Sequence, residues 1–380
     1  MKKIILSFLT CYIYLSLFSI YPMTVLNTID LANPLNTSTN IKGNGDLNGD
    51  GIKDLVLVRP IEGMQYYREV AVYFGGSPFD LNPDLIITSY APTHINYESD
   101  LNGDGFDDLV ISCPLSGYAG EGHVDIYFGG PGFDSNIDLL LEGDNYTDIY
   151  SENMGFGGDI KTSGDFNGDG YKDLLIVSSF TGNFYRGQAN IFFGGPNFDS
   201  NSDWFYRGNI SEEFATAITT GDINNDGYDD IASISGNCVD QYPELNYLQT
   251  LKIFMGSQNL DNSIDYTWDV VSPRVQLSLE SDYNQDNFND LLMDTVVDDF
   301  QILWGANSLP QYFQYILQEG GQKELMDDVT INNKPCIMYY SVCDTMIYLS
   351  SYSNQNAFVK EFFYACDILN YLGRRPVLHN

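Results

Sequence analysis

The stretch GDFNGDGYKDLLIV, Gly164 to Val177, decides how the rest of the chain is read. It sets Asp165, Asn167, Asp169 and Asp173 at positions 1, 3, 5 and 9 of a loop, with Gly170 at position 6, and runs straight into an apolar, strand-like segment. A hard cation such as calcium takes about six to eight oxygen ligands, and side-chain oxygens at alternate positions supply most of them. The backbone carbonyl of Tyr171 at position 7 adds another. Gly170 permits the left-handed turn that wraps the loop around an ion.

The pattern recurs, and the recurrence carries more than any one copy. GDLNGDGIKDLVLV starts at Gly45, SDLNGDGFDDLVIS at Ser99, GDINNDGYDDIASI at Gly221 and SDYNQDNFNDLLMD at Ser281. The candidate calcium ligands in the first loop are Asp46, Asn48, Asp50 and Asp54 with the carbonyl of Ile52. In the second they are Asp100, Asn102, Asp104 and Asp108 with that of Phe106. The fourth offers Asp222, Asn224, Asp226 and Asp230 with Tyr228, and the fifth Asp282, Asn284, Asp286 and Asp290 with Phe288. In the fifth loop Asn287 replaces the glycine, and asparagine tolerates the left-handed conformation. Successive first aspartates lie 54, 65, 57 and 60 residues apart, so the unit is a supersecondary one.

A second ladder runs through the same units. Tyr73-Phe74-Gly75-Gly76, Tyr127-Phe128-Gly129-Gly130 and Phe192-Phe193-Gly194-Gly195 each place their first glycine 29 residues after the loop's first aspartate. Weaker echoes follow at Met255-Gly256 and Trp304-Gly305. Each unit reads as four strands: one into the loop (FGGDIKTSGD from Phe156), one out of it (DLLIV from Asp173), one ending at the double glycine, and one after a Pro/Asn/Asp turn (WFYRG from Trp204). Four short strands at a fixed period predict an all-β propeller with the loops between first and second strands. The expected blades are 36–92, 93–154, 155–212, 213–273, 274–322 and a degenerate, metal-free 323–380. Six is the favoured count. A seventh, assembled from residues 24–34 and 364–380, is the alternative.

Composition bounds the rest. With 43% hydrophobic residues, 28 Tyr and 23 Phe, the chain buries a substantial core and favours strands. A net charge of −35 argues against nucleic acid and anionic membranes as partners. Met1-Lys2-Lys3 followed by IILSFLTCYIYLSLFSIYPM reads as a signal peptide over 1–22, with an uncleaved anchor as the alternative, so the chain is expected to be secreted or at the cell surface. Beyond Cys11, the cysteines Cys113, Cys238, Cys336, Cys343 and Cys366 form neither a disulfide framework nor a CxxC site. Cys336 and Cys343 are a candidate cross-strand pair, and Cys113 reads as a small core residue.

The Phe156-Gly157 lead-in, the DxNxDGxxD loop and the aromatic-Gly-Gly strand end resemble the FG-GAP repeats of integrin α-chain propellers and their bacterial secreted relatives. That resemblance covers about residues 36–320. It implies a propeller, seven-bladed in integrins, with calcium in the loops between first and second strands, and a role in recognition or adhesion. Cys113-Pro114 and Arg59-Pro60 match the Gly-Ala-Pro part only loosely.

Rival readings of the loops are weaker. An EF-hand needs Glu at position 12, where Leu57, Ile111 and Ile176 stand. Hydrogen-bonded turns without metal remain the plain alternative. HExxH, GxSxG, Walker A and GxGxxG motifs are absent, and His94, His123 and His379 are the only imidazoles. His123 reads as a structural residue on a strand. The expected function is a non-catalytic binding or adhesion module for an extracellular protein or glycan, held by about five structural calcium ions. The alternatives are a polysaccharide lyase or hydrolase on a propeller scaffold and a structural envelope protein. Among Tyr66, Tyr67, Tyr118, Tyr185 and Tyr206, the loop pairs Tyr66-Tyr67 and Tyr185-Arg186 are the candidates for a partner-facing rim. Sequons begin at Asn36, Asn145 and Asn209.

Overall fold

Aromatic and β-branched runs between glycine- and proline-marked turns form strands throughout, and no helix occurs among the described residues. The computed structural model describes residues 41–42, 44–76, 82–117, 120–143, 155–178, 186–209, 212–236, 248–272, 275–295, 301–309, 314–315, 323–331, 334–341, 346–353 and 357–363. The leader expected over 1–22, the leftover stretches for a seventh blade, Tyr118, Tyr185 and His379 lie outside them. So do Cys11, Cys238, Cys343 and Cys366.

The described strands form four-stranded antiparallel sheets, each ordered as the chain runs. The first holds Ile41–Lys42, Leu55–Pro60, Tyr67–Tyr73 and Leu85–Tyr90, the second His94–Ser99, Asp108–Cys113, His123–Tyr127 and Leu139–Glu142. The third holds Asp159–Gly164, Asp173–Ser178, Gln188–Phe192 and Trp204–Arg207, the fourth Ala217–Gly221, Asp230–Gly236, Leu248–Phe254 and Tyr266–Val271. The fifth holds Val275–Ser281, Asp290–Thr295, Gln301–Leu303 and Gln314–Tyr315, and the sixth Lys323–Ile331, Lys334–Ser341, Met346–Ser353 and Ala357–Phe363. This serial array of four-stranded meanders is β-propeller architecture. In the sixth sheet Cys336 stands opposite Val329 and Ser351.

Two compact units divide the chain, one holding Met1–Thr147, Glu152–Thr162 and Gly194–Ser200 and the other the remainder. In the first, Val56, Val70, Val72 and Ile87 of the first sheet pack on Ile95, Tyr97, Leu109 and Ile111 of the second. In the other, Leu175, Val177 and Ile191 pack with Ile218 and Ile231, and Ile234, Leu251 and Ile253 pack with Leu279, Leu291 and Met293. Within each unit these cores lie between the faces of neighbouring sheets. The second strands of the second, third and fifth sheets are buried at every position.

Candidate metal-binding loops

Each loop is a hairpin closed by a strand pair: Ser99 opposite Asp108, Gly221 opposite Asp230, Ser281 opposite Asp290. The carboxylate at position 1 gathers the backbone inside it. Asp100 Oδ1 accepts from the Gly103 and Asp104 N–H groups at 2.7 and 3.1 Å, and Oδ2 from Gly105 at 2.7 Å. Asp46 and Asp165 hold the same three bonds. Asp222 and Asp282 accept from positions 5 and 6. The Asn102 amide oxygen accepts from Asp104 N–H and Asp104 Oδ1 from Phe106 N–H, and the other loops repeat both contacts. The chain thus curls around the side chains at positions 1, 3 and 5.

Two residues per loop are left-handed, where the sequence reading expected one. Position 6 has φ of 84, 94, 91 and 92° at Gly51, Gly105, Gly170 and Gly227, and 74° at Asn287. Position 4 has φ of 74, 74 and 71° at Gly49, Gly103 and Gly168, 54° at Asn225 and 63° at Gln285.

The carboxylate at position 9 points inward. Asp108 Oδ2 accepts from Leu101 N–H and Oδ1 from Gly129 N–H, at 2.8 and 2.9 Å. Asp54, Asp230 and Asp290 tie position 2 to Gly75, Gly256 and Gly305 in the same way. This explains the second ladder: its first glycine is where the third strand returns to the loop. A Cβ there would lie 2.4, 2.1, 2.3 or 2.1 Å from the carbonyl oxygen of Lys53, Asp107, Asp229 or Asn289, so only glycine fits.

Burial pushes Asp108, Asp230 and Asp290 up to about 7, and carboxylates of their own loops push the same way. Asp54 is raised for the same reasons. A buried carboxylate beside two more acidic groups is the electrostatic setting a cation relieves. An all-oxygen donor set of three carboxylates and an amide suits a hard ion such as calcium. Positions 1, 3, 5 and 9 with the position-7 carbonyl would hold it, and its charge would offset the crowding.

Several residues outside the predicted ligand set matter as much. Position 2 is an apolar plug: Leu47, Leu101, Phe166 and Ile223 are 0% exposed and Tyr283 2%. Position 8 links loops within a unit, since Asp107 accepts from Asp46 N–H at 2.9 Å and Asp229 from Asp165 N–H at 2.8 Å. The Phe106 and Tyr228 rings cover Gly49 and Gly168 of the preceding loops. A third ladder closes the outer hairpins: Asp84, Asp138, Asp203 and Asp265 accept from Phe74, Phe128, Phe193 and Met255 N–H at 2.7 to 2.8 Å. Its constant ten-residue spacing is visible in the sequence.

The FG-GAP-like repeat model matches residues 165–233, the third loop through the fourth. The repeats are of the FG-GAP type. Integrin alpha-5 of Xenopus laevis is 35% identical over 164 residues, 38% of this chain and 15% of that protein. Integrin alpha-IIb of Mus musculus is 35% identical over 105 residues, 25% of this chain and 10% of that one. The match thus spans a small fraction of these relatives' own length. Among solved structures, the WD40 domain of Toxoplasma gondii coronin aligns with a TM-score of 0.47 at 10% identity, covering 87% of this chain and 76% of that one. The Phe-Gly pair of the FG-GAP lead-in falls at Phe156, which is 2% exposed, and Gly157, which is left-handed at φ 90°. The Gly157 carbonyl accepts from the Ser112 hydroxyl. In the next FG-GAP unit Phe214-Ala215 takes the same place, with Ala215 left-handed at φ 61°.

Aromatic side chains divide into two groups. Tyr66 and Tyr67, in and just after the loop before the first sheet's third strand, are 50% and 45% exposed. They bracket Tyr90, with ring centroids 5.8 and 5.3 Å away. Tyr206 instead packs against Phe214 and Phe254.

Proposed function

We propose that this chain is a calcium-stabilised, non-catalytic propeller outside the cell that binds an extracellular protein or glycan. The observation that carries the reading is the exposed Tyr66-Tyr67-Tyr90 cluster, because clustered tyrosines offer large amphipathic contact area at low entropic cost. The patterned carboxylates support the non-catalytic part: those at positions 1, 5 and 9 are engaged by backbone N–H groups of their own loops and, at position 9, of the third strand's end. The likeness to integrin α chains points to adhesion.

Two measurements test it. Calcium is expected to raise the melting temperature of the full chain relative to chelator, as a ligand of the folded state must. A glycan and protein array is expected to yield a partner whose binding falls at least about tenfold in a Tyr66→Ala/Tyr67→Ala variant that melts normally. Absence of a calcium effect removes the metal, and cleavage on a polysaccharide panel without any partner on the array would replace binding with enzymology.

A further inference from the structure

We propose that Cys113, His123 and Asp125 form a second kind of metal site, for one zinc-class divalent ion, separate from the calcium loops. Cys113 ends the second strand of the second sheet, opposite His123 at the start of the third, and Asp125 follows two residues on. Strand alternation puts all three on one face. One ligand atom from each lies within 4.8 Å of the other two. Tetrahedral ligands at zinc bond lengths of about 2.0–2.3 Å stand roughly 3.3–3.8 Å apart, so a small contraction completes the set.

The hydrogen bonds orient this cluster toward a cation. The Ser116 hydroxyl donates its single proton to the Cys113 carbonyl at 2.8 Å, so it accepts from His123 Nδ1, 2.6 Å away. Nδ1 therefore carries hydrogen, and the Nε2 side of the ring faces Asp125. Nε2 stands 3.4 Å from Asp125 Oδ1, beyond good hydrogen-bond range. That oxygen is fully buried without a hydrogen-bond partner, on a side chain only 6% exposed. A histidine that donates from its far ring nitrogen to an oxygen behind it while its near nitrogen meets a carboxylate is the arrangement metal sites use. Ser89 Oγ, 2.9 Å from Cys113 Sγ, is placed to donate to a thiolate. Thiolate, imidazole and carboxylate together suit zinc and its neighbours, whereas calcium takes oxygen alone. His123 keeps 28% of its side chain exposed, which provides an entry path. On binding, the Cys113 thiol and the His123 imidazolium each lose a proton to solvent, and sulfur and Nε2 bond the metal with no change of oxidation state. The rival occupant is a proton on His123, an imidazolium held up to about 10 first by Asp125 and then by Cys113.

Cobalt(II) titration of the full chain in calcium-containing buffer separates the two, because only thiolate ligation gives an intense near-ultraviolet charge-transfer band. One equivalent is expected to produce the band, zinc to displace it, and excess calcium to leave it. Cys113→Ser should abolish it. Ser116→Ala and Asp125→Asn, which keep the sulfur and the core, should weaken cobalt affinity about tenfold or more. These two keep the test decisive if the cysteine variant fails to fold. Absence of a band in the wild-type chain, or unchanged affinity in both Ser116→Ala and Asp125→Asn, overturns the site.

Discussion

Cys113, His123 and Asp125 in the second sheet hold the register positions that Ser235, Thr250 and Lys252 hold in the fourth, counted from the position-9 aspartate and from the double-glycine end of the third strand. In the fourth sheet the slot is closed by an ion pair. Lys252 Nζ meets Glu212, whose Oε1 also accepts from Ser235 Oγ, and Lys252 lies 5.5 Å from the Tyr206 ring centroid. The first sheet closes the same slot with Arg59 and Glu69 at 2.8 Å, and the third with Gln188 donating to Asn190 at 2.8 Å. The second sheet instead leaves Asp125 Oδ1 unpartnered. The loops, by contrast, solve one problem in one way five times. Features repeated at every unit build the architecture, and a position whose chemistry changes from unit to unit is where an individual property is found.

Breaking the fourth-sheet slot should have the largest effect. Lys252 and Glu212 side chains are 9% and 13% exposed, so Lys252→Met strands a buried carboxylate and is expected to cost about 3–5 kcal/mol in urea unfolding. Burial already lowers the Lys252 pKa to about 8, a sign of how poorly solvated its charge is. Lys252→Met with Glu212→Leu should recover most of the loss. A single variant as stable as wild type would show that the pair contributes little and that the slot tolerates any filling.

The contrast also explains what the sequence reveals. A loop whose candidate ligands lie within nine consecutive residues is legible as a string, and so is a strand rhythm that repeats in register with it. The third-sheet strands match the stretches read for them, from FGGDIKTSGD to WFYRG, except that the strand read as DLLIV runs on to Ser178. Cys113 and His123 meet only because the hairpin between them pairs in one particular register, and nothing in residues 114–122 announces it. Read singly, each looks like ordinary core or strand. Position 4 was missed for a similar reason: the need for glycine at Gly49 and Gly168 comes from rings that belong to the next loop, more than fifty residues on.

A middle-sized effect follows from the loops' electrostatics. Asp108, Asp230 and Asp290 rise from 3.8 to about 7 on burial without a cation. A raised carboxylate pKa means that the folded state binds the proton more tightly than the unfolded one. In chelator, the stability these groups contribute is therefore fully present below about pH 4 and lost as pH rises through about 7. Calcium in the proposed loops would replace the proton, so the melting-temperature gain from calcium should grow across that window and be smallest in acid. A gain that is constant from pH 5 to 7.5 would mean that these carboxylates do not face the ion. The Cys113 site should behave differently, because its metal is read by cobalt spectra in the presence of saturating calcium.

The smallest effect separates the three loops with glycine at position 4 from the two that carry Asn225 and Gln285 there. Gly168 at φ 71° has a Cβ position 2.4 Å from the Tyr228 ring, so conformation and packing both demand glycine. Gln285 holds the same loop position at φ 63°. Asn225 shows that a side chain fits at this loop position even where an aromatic, Phe288, stands at position 7 of the next loop. A left-handed glutamine still costs about 1–2 kcal/mol, offset in part by the roughly 0.5–1 kcal/mol of extra freedom that glycine gains on unfolding. Gln285→Gly is therefore expected to stabilise by about 0.5 kcal/mol, leaving the calcium midpoint unchanged because the donors at positions 1, 3, 5 and 9 are untouched. Destabilisation instead would mean that the contacts of the Gln285 side chain are worth more than the backbone strain it imposes.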